Sequence, residues 1–140
     1  MVKQVSVFLP NEPGILGKFT SLLKENSINI RALTVAETAD YGILRIIVSD
    51  PDKCIEILRS VNYLVSETEV LAFEVEDKPG GLHKSATILG ENGINIEYLY
   101  STLTSKKAII LMRVNFIEKA KDVLSKEGIK ILSGNEIYNI

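Results

Sequence analysis

Two short loops carry the residue types that suit the binding of a small zwitterion. The first loop reads NEPGIL over residues 11–16, and the second reads DKPGGL over residues 77–82. A Pro-Gly step before a helix leaves unpaired backbone N–H groups at the helix start, and glycine lets a ligand approach the backbone closely. The helix dipole favours an anion there, while Asn11 and Asp77 offer acceptors for an ammonium group. The pattern suggests an amino-acid site, and a plain strand-to-helix turn is the structural alternative.

The two loops belong to one unit that the chain contains twice. Residues 25–30 (ENSINI) recur as residues 91–96 (ENGINI), at the same offset of 66 positions that relates the loops. The same offset pairs apolar residues further along, among them Leu33 with Leu99 and Ile43 with Ile109. An ungapped register over a whole half predicts a duplicated domain, with boundaries at 1–67 and 68–140.

Each copy of the repeat predicts the element order β-α-β-β-α-β. Apolar residues alternate before each loop, which is the period of a strand. After the first loop they recur at helical spacing, and Pro13 falls where that helix is expected to begin. Strands at 28–38 and 43–49, joined through a turn at 39–42, precede a helix that Asp50 caps, and a short strand ends the copy.

This pattern predicts an α+β chain of two ferredoxin-like βαββαβ units packed as a pseudo-twofold pair. A unit of about 66 residues buries only around 60% of its unfolded surface, so we expect the two to pack together. In the second copy the turn between the middle strands falls at 105–107. The apolar carboxyl end, with Ile137, Tyr138 and Ile140, is left to dock on its own domain or on a second chain.

The composition excludes several classes of function. Of the 140 residues, 46% are hydrophobic and 24% are charged, with a formal net charge of −2. This balance provides no basic field for nucleic acid or an anionic membrane, and no apolar run is long enough for a membrane span. A single cysteine excludes an internal disulfide and a thiolate zinc cluster. We therefore expect a cytoplasmic protein without a metal or cofactor.

The loop motif, the amphipathic helix after it and the Ile-Asn-Ile segments at 28–30 and 94–96 together resemble the ACT domain. The resemblance covers residues 3–67 and 69–133, which is nearly the whole chain. It implies a small-molecule-sensing module, mostly for amino acids, whose relatives are usually attached to metabolic enzymes or transcription regulators. It also implies that the ligand lies at the interface between paired domains, near the loops. The chain is accordingly expected to be a non-catalytic, amino-acid-binding regulatory protein.

The resemblance carries candidate ligand contacts onto both copies. In the first copy they are Asn11, Pro13, Gly14, Ile15 and Leu16, and in the second copy they are Asp77, Pro79, Gly80, Gly81 and Leu82. Asn29 and Asn95, where the second strand of each copy begins, are expected to contribute from across the interface. Gly81 stands where the first copy has Ile15, which we expect to loosen the second loop or leave extra room. A carboxylate holds an ammonium better than an amide does, so the Asp77 site is favoured over the Asn11 site.

His83, the only histidine, is a further candidate. It falls in the first turn after the second loop and corresponds to Gly17, so it is not part of the repeated design. It is either a ligand contact or pH-sensitive group, or a solvated histidine at a helix start. No catalytic residue is assigned.

Three other functions are alternatives to amino-acid binding. Catalysis needs a nucleophile or base with an orienting partner, whereas Cys54 and His83 lie in different copies without counterparts. RNA-recognition domains share the element order but place aromatic residues on central strands, and residues 43–49 and 107–115 contain none. A protein-interaction module that regulates a partner enzyme without its own ligand stays open. Because such units pair with one another, a homodimer is expected.

Overall fold

The computed structural model describes residues 1–37, 40–104 and 107–140. Parts of the two predicted hairpin turns, residue 39 and residues 105–106, lie outside these ranges. Along the described residues the elements are β1 (Val2–Pro10), α1 (Ile15–Glu25), β2 (Ile30–Glu37), β3 (Tyr41–Val48), α2 (Pro51–Ser60), β4 (Val65–Glu76), α3 (His83–Glu91), β5 (Ile96–Leu103), β6 (Lys107–Val114), α4 (Ile117–Lys126) and α5 (Gly134–Tyr138).

The chain divides into two compact units, each containing one repeat. The first-repeat unit consists of Lys3–Thr68 with Ile137–Ile140, and the second-repeat unit consists of Met1–Val2 with Glu69–Glu136. The predicted fold class of two βαββαβ units is confirmed. The observed division differs from the predicted boundaries at both ends of the chain, because each terminus belongs to the unit of the other repeat.

In the first-repeat unit, β3 pairs antiparallel with β1 on one side and with β2 on the other. Alternate strand residues face α1 and α2, as the period of two and the helical spacing predict. The buried core that results consists of Val5, Val7, Leu9, Phe19, Leu23, Ile28, Leu44, Ile46, Val48, Cys54, Ile55 and Leu58. Asp50 caps α2 as predicted, since its carboxylate accepts from the Lys53 N–H at 3.1 Å.

The second-repeat unit has the same arrangement, with β6 between β4 and β5. Its buried core consists of Leu71, Phe73, Leu89, Ile94, Ile110, Met112, Val114, Ala120 and Leu124. The last strand of this repeat is reduced to a single bridge between Phe73 and Ile131.

Hydrogen bonds also repeat at the offset of 66 positions. Lys53 donates from Nζ to the carbonyl oxygen of Asn26 at 2.7 Å, and Lys119 donates to that of Asn92 at 2.7 Å. Both carbonyls lie at the C-terminal end of a helix, where an ammonium satisfies an acceptor that the helix leaves unpaired. The sequence repeat is therefore a structural repeat down to single side chains.

The apolar carboxyl end docks on its own chain. The Tyr138 hydroxyl accepts from the Lys3 N–H at 2.7 Å, and Arg31 donates from Nε to the Tyr138 carbonyl oxygen at 2.8 Å. Burial raises the pKa of the Tyr138 phenol. These two bonds attach the end of α5 to the first-repeat unit.

Candidate functional site

The two loops have the same backbone turn. In the first loop the Ile15 N–H donates to the Glu12 carbonyl at 3.5 Å, and in the second the Gly81 N–H donates to the Lys78 carbonyl at 3.0 Å. Gly14 and Gly80 are the third residues of these four-residue turns, with φ of 85° and 84°. A Cβ in this left-handed region crowds the following carbonyl oxygen, so the backbone itself explains glycine at both places.

The helices that follow the loops begin later than predicted. Pro13 is not helical, because the left-handed Gly14 stands between it and Ile15, the first residue of α1. In the second repeat the turn continues through Leu82, and α3 begins at His83, two positions later in the repeat than α1. The second loop is therefore the longer one, and His83 lies in the first turn of α3 as predicted.

The expectation that Gly81 leaves extra room is wrong. A Cβ at this position would collide with the carbonyl oxygen of Glu76 and would lie 3.2 Å from that of Lys78. The second loop folds back onto its own backbone at this point, in a way that the side chain of Ile15 would not permit. Ile15 instead packs against the first-repeat core, and Leu82 takes the equivalent place against the second-repeat core.

Most of the predicted ligand contacts lie at the surface of the protein. The side chain of Leu16, for example, is 44% exposed. Half-buried are Ile15, Gly81 and Leu82, and exposed are Asn11, Pro13, Gly14, Leu16, Asn29, Asp77, Pro79, Gly80, His83 and Asn95.

Within one repeat, Asn29 and Asn95 lie far from the loops. Asn29 directly precedes the β2 residue that pairs with Val48, which places it at the start of β1, whereas Asn11 follows the other end of β1. The Asn29 N–H donates to Ser49 Oγ at 3.0 Å. At the equivalent place of the second repeat, the Asn95 N–H donates to Asn115 Oδ1, just after β6, at 3.0 Å. The structure thus does not bring these asparagines to the loop of their own repeat.

Each unit has a cavity beside its loop, in the same place of the repeat. The cavity of the first-repeat unit, here the first cavity, has a volume of about 730 Å³, and that of the second-repeat unit, the second cavity, about 340 Å³. Volumes of this size accommodate small metabolites. The wall positions that the two share are Pro10 and Glu76, Glu12 and Lys78, Ile15 and Gly81, Lys18 and Lys84, Asn62 and Gly128, and Tyr63 and Ile129.

The predicted residues and the cavities overlap only in part. Ile15 lines the first cavity, and Gly80 and Gly81 line the second, whereas the other predicted contacts line neither. Asp77, favoured from the sequence as the partner of an ammonium group, is replaced in the cavity wall by its neighbour Glu76.

The second cavity is rich in lysine. Lys78 donates to the Glu76 carboxylate at 2.6 Å, which lowers the pKa of Glu76 and raises that of Lys78. A second ion pair joins Lys107 to Glu74 at 3.1 Å. The remaining lysines of the wall are Lys84 and Lys130.

Because of Lys84 and Lys130, the wall of the second cavity has a net positive charge. Lys84 donates to the carbonyl oxygen of Glu127 at 3.3 Å, and neither lysine forms an ion pair with a carboxylate of the described residues. The buried Ser85, which is 1% exposed, adds a hydroxyl to the wall.

The first cavity has a different character. Its charged side chains are those of Glu12, Glu25 and Lys18, and much of the remaining wall is apolar, from Leu22, Val61 and Tyr63 among others. The residues beside the first loop are likewise less charged than those beside the second loop. Phe8 and Tyr41, whose ring centroids are 5.8 Å apart, occupy the positions at which the second repeat has the Glu74–Lys107 ion pair.

The lysines of the second cavity were missed from the sequence. The signal lay in the differences between the copies, since Lys78, Lys107 and Lys130 stand where the first copy has Glu12, Tyr41 and Leu64. Among the described residues there is no group of His, Cys, Asp and Glu side chains that could hold a metal ion. No helix in the described ranges is long and apolar enough to cross a membrane.

Comparison with known proteins gives a family and several similar structures. A family model described as an ACT domain pair matches residues 1–140. The crystal structure of protein BT0572 from Bacteroides thetaiotaomicron is 37% identical, with 99% of this chain and 96% of that chain covered and a TM-score of 0.95.

Two further matches are regulatory subunits of aspartate kinase. The one from Thermus thermophilus is 15% identical, with 89% and 91% of the two chains covered and a TM-score of 0.67. The one from Thermus flavus is 16% identical, with 88% of each chain covered and a TM-score of 0.64. At these identities the likeness shows the fold alone. No curated protein matches the chain.

Proposed function

Because the chain belongs to the ACT domain pair family, we propose that it is a non-catalytic regulatory protein that binds a small amino acid beside its strand-to-helix loops. Regulation is a role named for two proteins of the same fold, the regulatory subunits of aspartate kinase. We extend that role to this chain as part of the proposal.

The observation that carries the proposal is the pair of cavities at equivalent places of the two repeats. Each is bordered by the loop, by the first helix of its repeat and by the turn after the second helix. Both contain a lysine at the same position, Lys18 or Lys84, and at least one glutamate. A lysine suits the carboxylate of an amino acid and a glutamate suits its ammonium group, so both walls provide the two charges that a zwitterion requires.

Regulation would follow from unequal binding to two states of the protein or of a partner. A ligand shifts such an equilibrium only by its difference in affinity for the two states. The partner we expect is a metabolic enzyme or a regulator, and we place the chain in the cytoplasm as a homodimer.

A protein-interaction module without its own ligand is the second candidate. Exposed apolar side chains on β2 and β5 favour it, since Val35 is 52% exposed and Leu103 is 68% exposed. Large apolar side chains in contact with water are typical of surfaces that another protein covers. This alternative predicts binding of a partner that small molecules do not change.

A thermal-shift screen against the twenty amino acids tests the proposal. A ligand at about 100 times its dissociation constant stabilises the folded state by roughly 2.7 kcal/mol, which raises the melting temperature of a chain of this size by several degrees. We expect one selective hit. The shift should disappear in the double variant Lys18→Ala/Lys84→Ala, which removes the equivalent ammonium from both cavities.

The matched control is Lys24→Ala/Lys126→Ala, which removes two exposed lysines at helix ends that line neither cavity. It should keep the shift. A hit that survives loss of Lys18 and Lys84 would contradict the proposed site. If no amino acid changes the melting temperature, the interaction module becomes the better explanation, and isolation of a partner is the next experiment.

A further inference from the structure

The two cavities occupy equivalent places but differ in charge. Four lysines and two glutamates line the second cavity, whereas one lysine and two glutamates line the first. This difference in charge comes from the side chains at the wall positions, since lysine replaces glutamate, tyrosine or leucine at three of them. The two cavities are therefore expected to differ in the charge of the ligand that they accept.

The ion pairs show which lysines of the second cavity are available to a ligand. Lys78 and Lys107 each have a glutamate within 3.1 Å, so their charge is compensated inside the wall. Lys84 and Lys130 have no carboxylate partner among the described residues. The second cavity thus offers two uncompensated ammonium groups, one at the start of α3 and one after α4.

A neutral amino acid carries only one carboxylate, which would pair with one of these lysines and leave the other uncompensated. A ligand with a second carboxylate would provide one carboxylate for each of the two lysines. Glu74 and Glu76, which also line the cavity, have further lone pairs for the ligand's ammonium group. The number and sign of the charges in the wall therefore match a ligand with two carboxylates and one ammonium.

We propose that the second cavity selects an amino acid with a carboxylate in its side chain, held by Lys84 and Lys130. This inference rests on the proposed function and names the ligand class of one of its two sites. The first cavity does not share this preference, because Glu12 and Glu25 in its wall repel a second carboxylate.

Isothermal titration of the full chain with L-glutamate, L-aspartate and their amides L-glutamine and L-asparagine tests the proposal. Each acid differs from its amide by one charge at nearly the same volume. We expect one of the acids to bind at least about tenfold more tightly than its amide, as a hydrogen bond between charged groups is stronger than one to a neutral amide. The affinity should fall as sodium chloride is added.

Variants then locate the site. Lys84→Gln and Lys130→Gln should each weaken binding of the acid by about tenfold. Lys130→Arg, which keeps the charge, should retain most of the affinity. The control is Lys126→Gln, at an exposed lysine that lines neither cavity, and it should change the affinity less than about twofold. Lys18→Gln removes the equivalent lysine of the first cavity and should weaken binding of the acid much less than Lys84→Gln does. The substituted lysines are all exposed, so we expect every variant to remain folded, and thermal melting checks this.

The outcomes separate the two proposals. If an amide binds as tightly as its acid, the inference about ligand class is overturned while amino-acid binding stands. If Lys18→Gln weakens the acid as much as Lys84→Gln does, the inference is overturned because the site is not in the second cavity. If no amino acid binds, the proposed function fails as well. If inorganic phosphate binds while no amino acid does, and Lys130→Gln abolishes that binding, both proposals are overturned. The second cavity would then be a site for another kind of anion.

Discussion

The first and second loops share a backbone turn but not their surroundings. Beside the first loop lie the rings of Phe8 and Tyr41, and at the same two positions beside the second loop Glu74 and Lys107 form an ion pair. The hydrogen bonds of the turn and the left-handed glycines are the same in both repeats. The backbone of this turn therefore does not depend on the side chains around it, and these side chains can differ in charge between the repeats.

The loops also differ in how the helix begins. In the first repeat α1 begins at once after Gly14, whereas in the second the chain folds against the Glu76 carbonyl before α3 begins at His83. This tighter path brings the backbone of Gly81 into the wall of the second cavity. The smaller volume of the second cavity agrees with this closer approach.

Replacing Gly81 should have the largest effect on the stability of the fold. Gly81→Ala places a Cβ against the Glu76 carbonyl oxygen, and because backbone cannot yield as the end of a side chain does, we expect a loss of about 2 to 3 kcal/mol. Urea denaturation measures this loss. The matched control is Gly17→Ala inside α1, where the new Cβ meets no atom within 4 Å.

Gly17→Ala should stabilise the protein by about 0.5 kcal/mol, since alanine is a better helix former than glycine. Equal free energies of unfolding for the two variants would show that the second loop is not constrained as the structure indicates. The difference between the loops would then lie in their charges alone.

Alanine at Gly14 or at Gly80 should have an intermediate effect, equal in the two repeats. Both residues have φ near +85° and open space around the Cβ position, so the cost is the left-handed conformation itself, about 1 kcal/mol for each variant. Asparagine tolerates this conformation better, so Gly14→Asn should lose less than Gly14→Ala. Unequal losses for the two alanine variants in urea would contradict the shared turn.

The smallest expected effect is a change in the titration of Glu76. The Lys78 ammonium donates to this carboxylate and lowers its pKa. The first repeat has Pro10 and Glu12 at the two equivalent positions, which cannot form such an ion pair. A carboxylate whose pKa is lower in the folded state stabilises that state above the pKa of the unfolded chain. This contribution is lost as the pH falls through the lower, folded pKa.

An NMR titration of the carboxyl carbon should therefore give a pKa below the usual glutamate value, and Lys78→Gln should raise it. Lys107→Gln is the control, since Lys107 contributes less to the pKa of Glu76 than Lys78 does. If Lys107→Gln raises the pKa of Glu76 more than Lys78→Gln does, the ion pair between Lys78 and Glu76 is not the cause.

Comparison of the two copies within the sequence predicted most of the fold. The offset of 66 positions identified the element order, the core positions and the two loops, because periodicity and turn residues are properties of local sequence. The helix starts were missed, since whether Gly14 continues a helix or turns left-handed depends on what its neighbours pack against.

The candidate site was predicted only as a location. Loop residues 11–16 and 77–82 were identified from the sequence, and Ile15, Gly80 and Gly81 do line the cavities there. The lysines of the second cavity come from a loop, a helix, a strand and the segment after a second helix, at Lys78, Lys84, Lys107 and Lys130. No local pattern joins positions so far apart along the chain.

The amino-acid order of this protein was sufficient for its duplication and its element order, because the repeat, the periodicity and the turn residues can be read from the sequence itself. Folding determined which charges share a wall, which glycine is sterically required and on which unit the carboxyl end docks. These properties depend on contacts between residues distant in sequence, such as Tyr138 with Lys3, and they arise only when the sheets and helices pack.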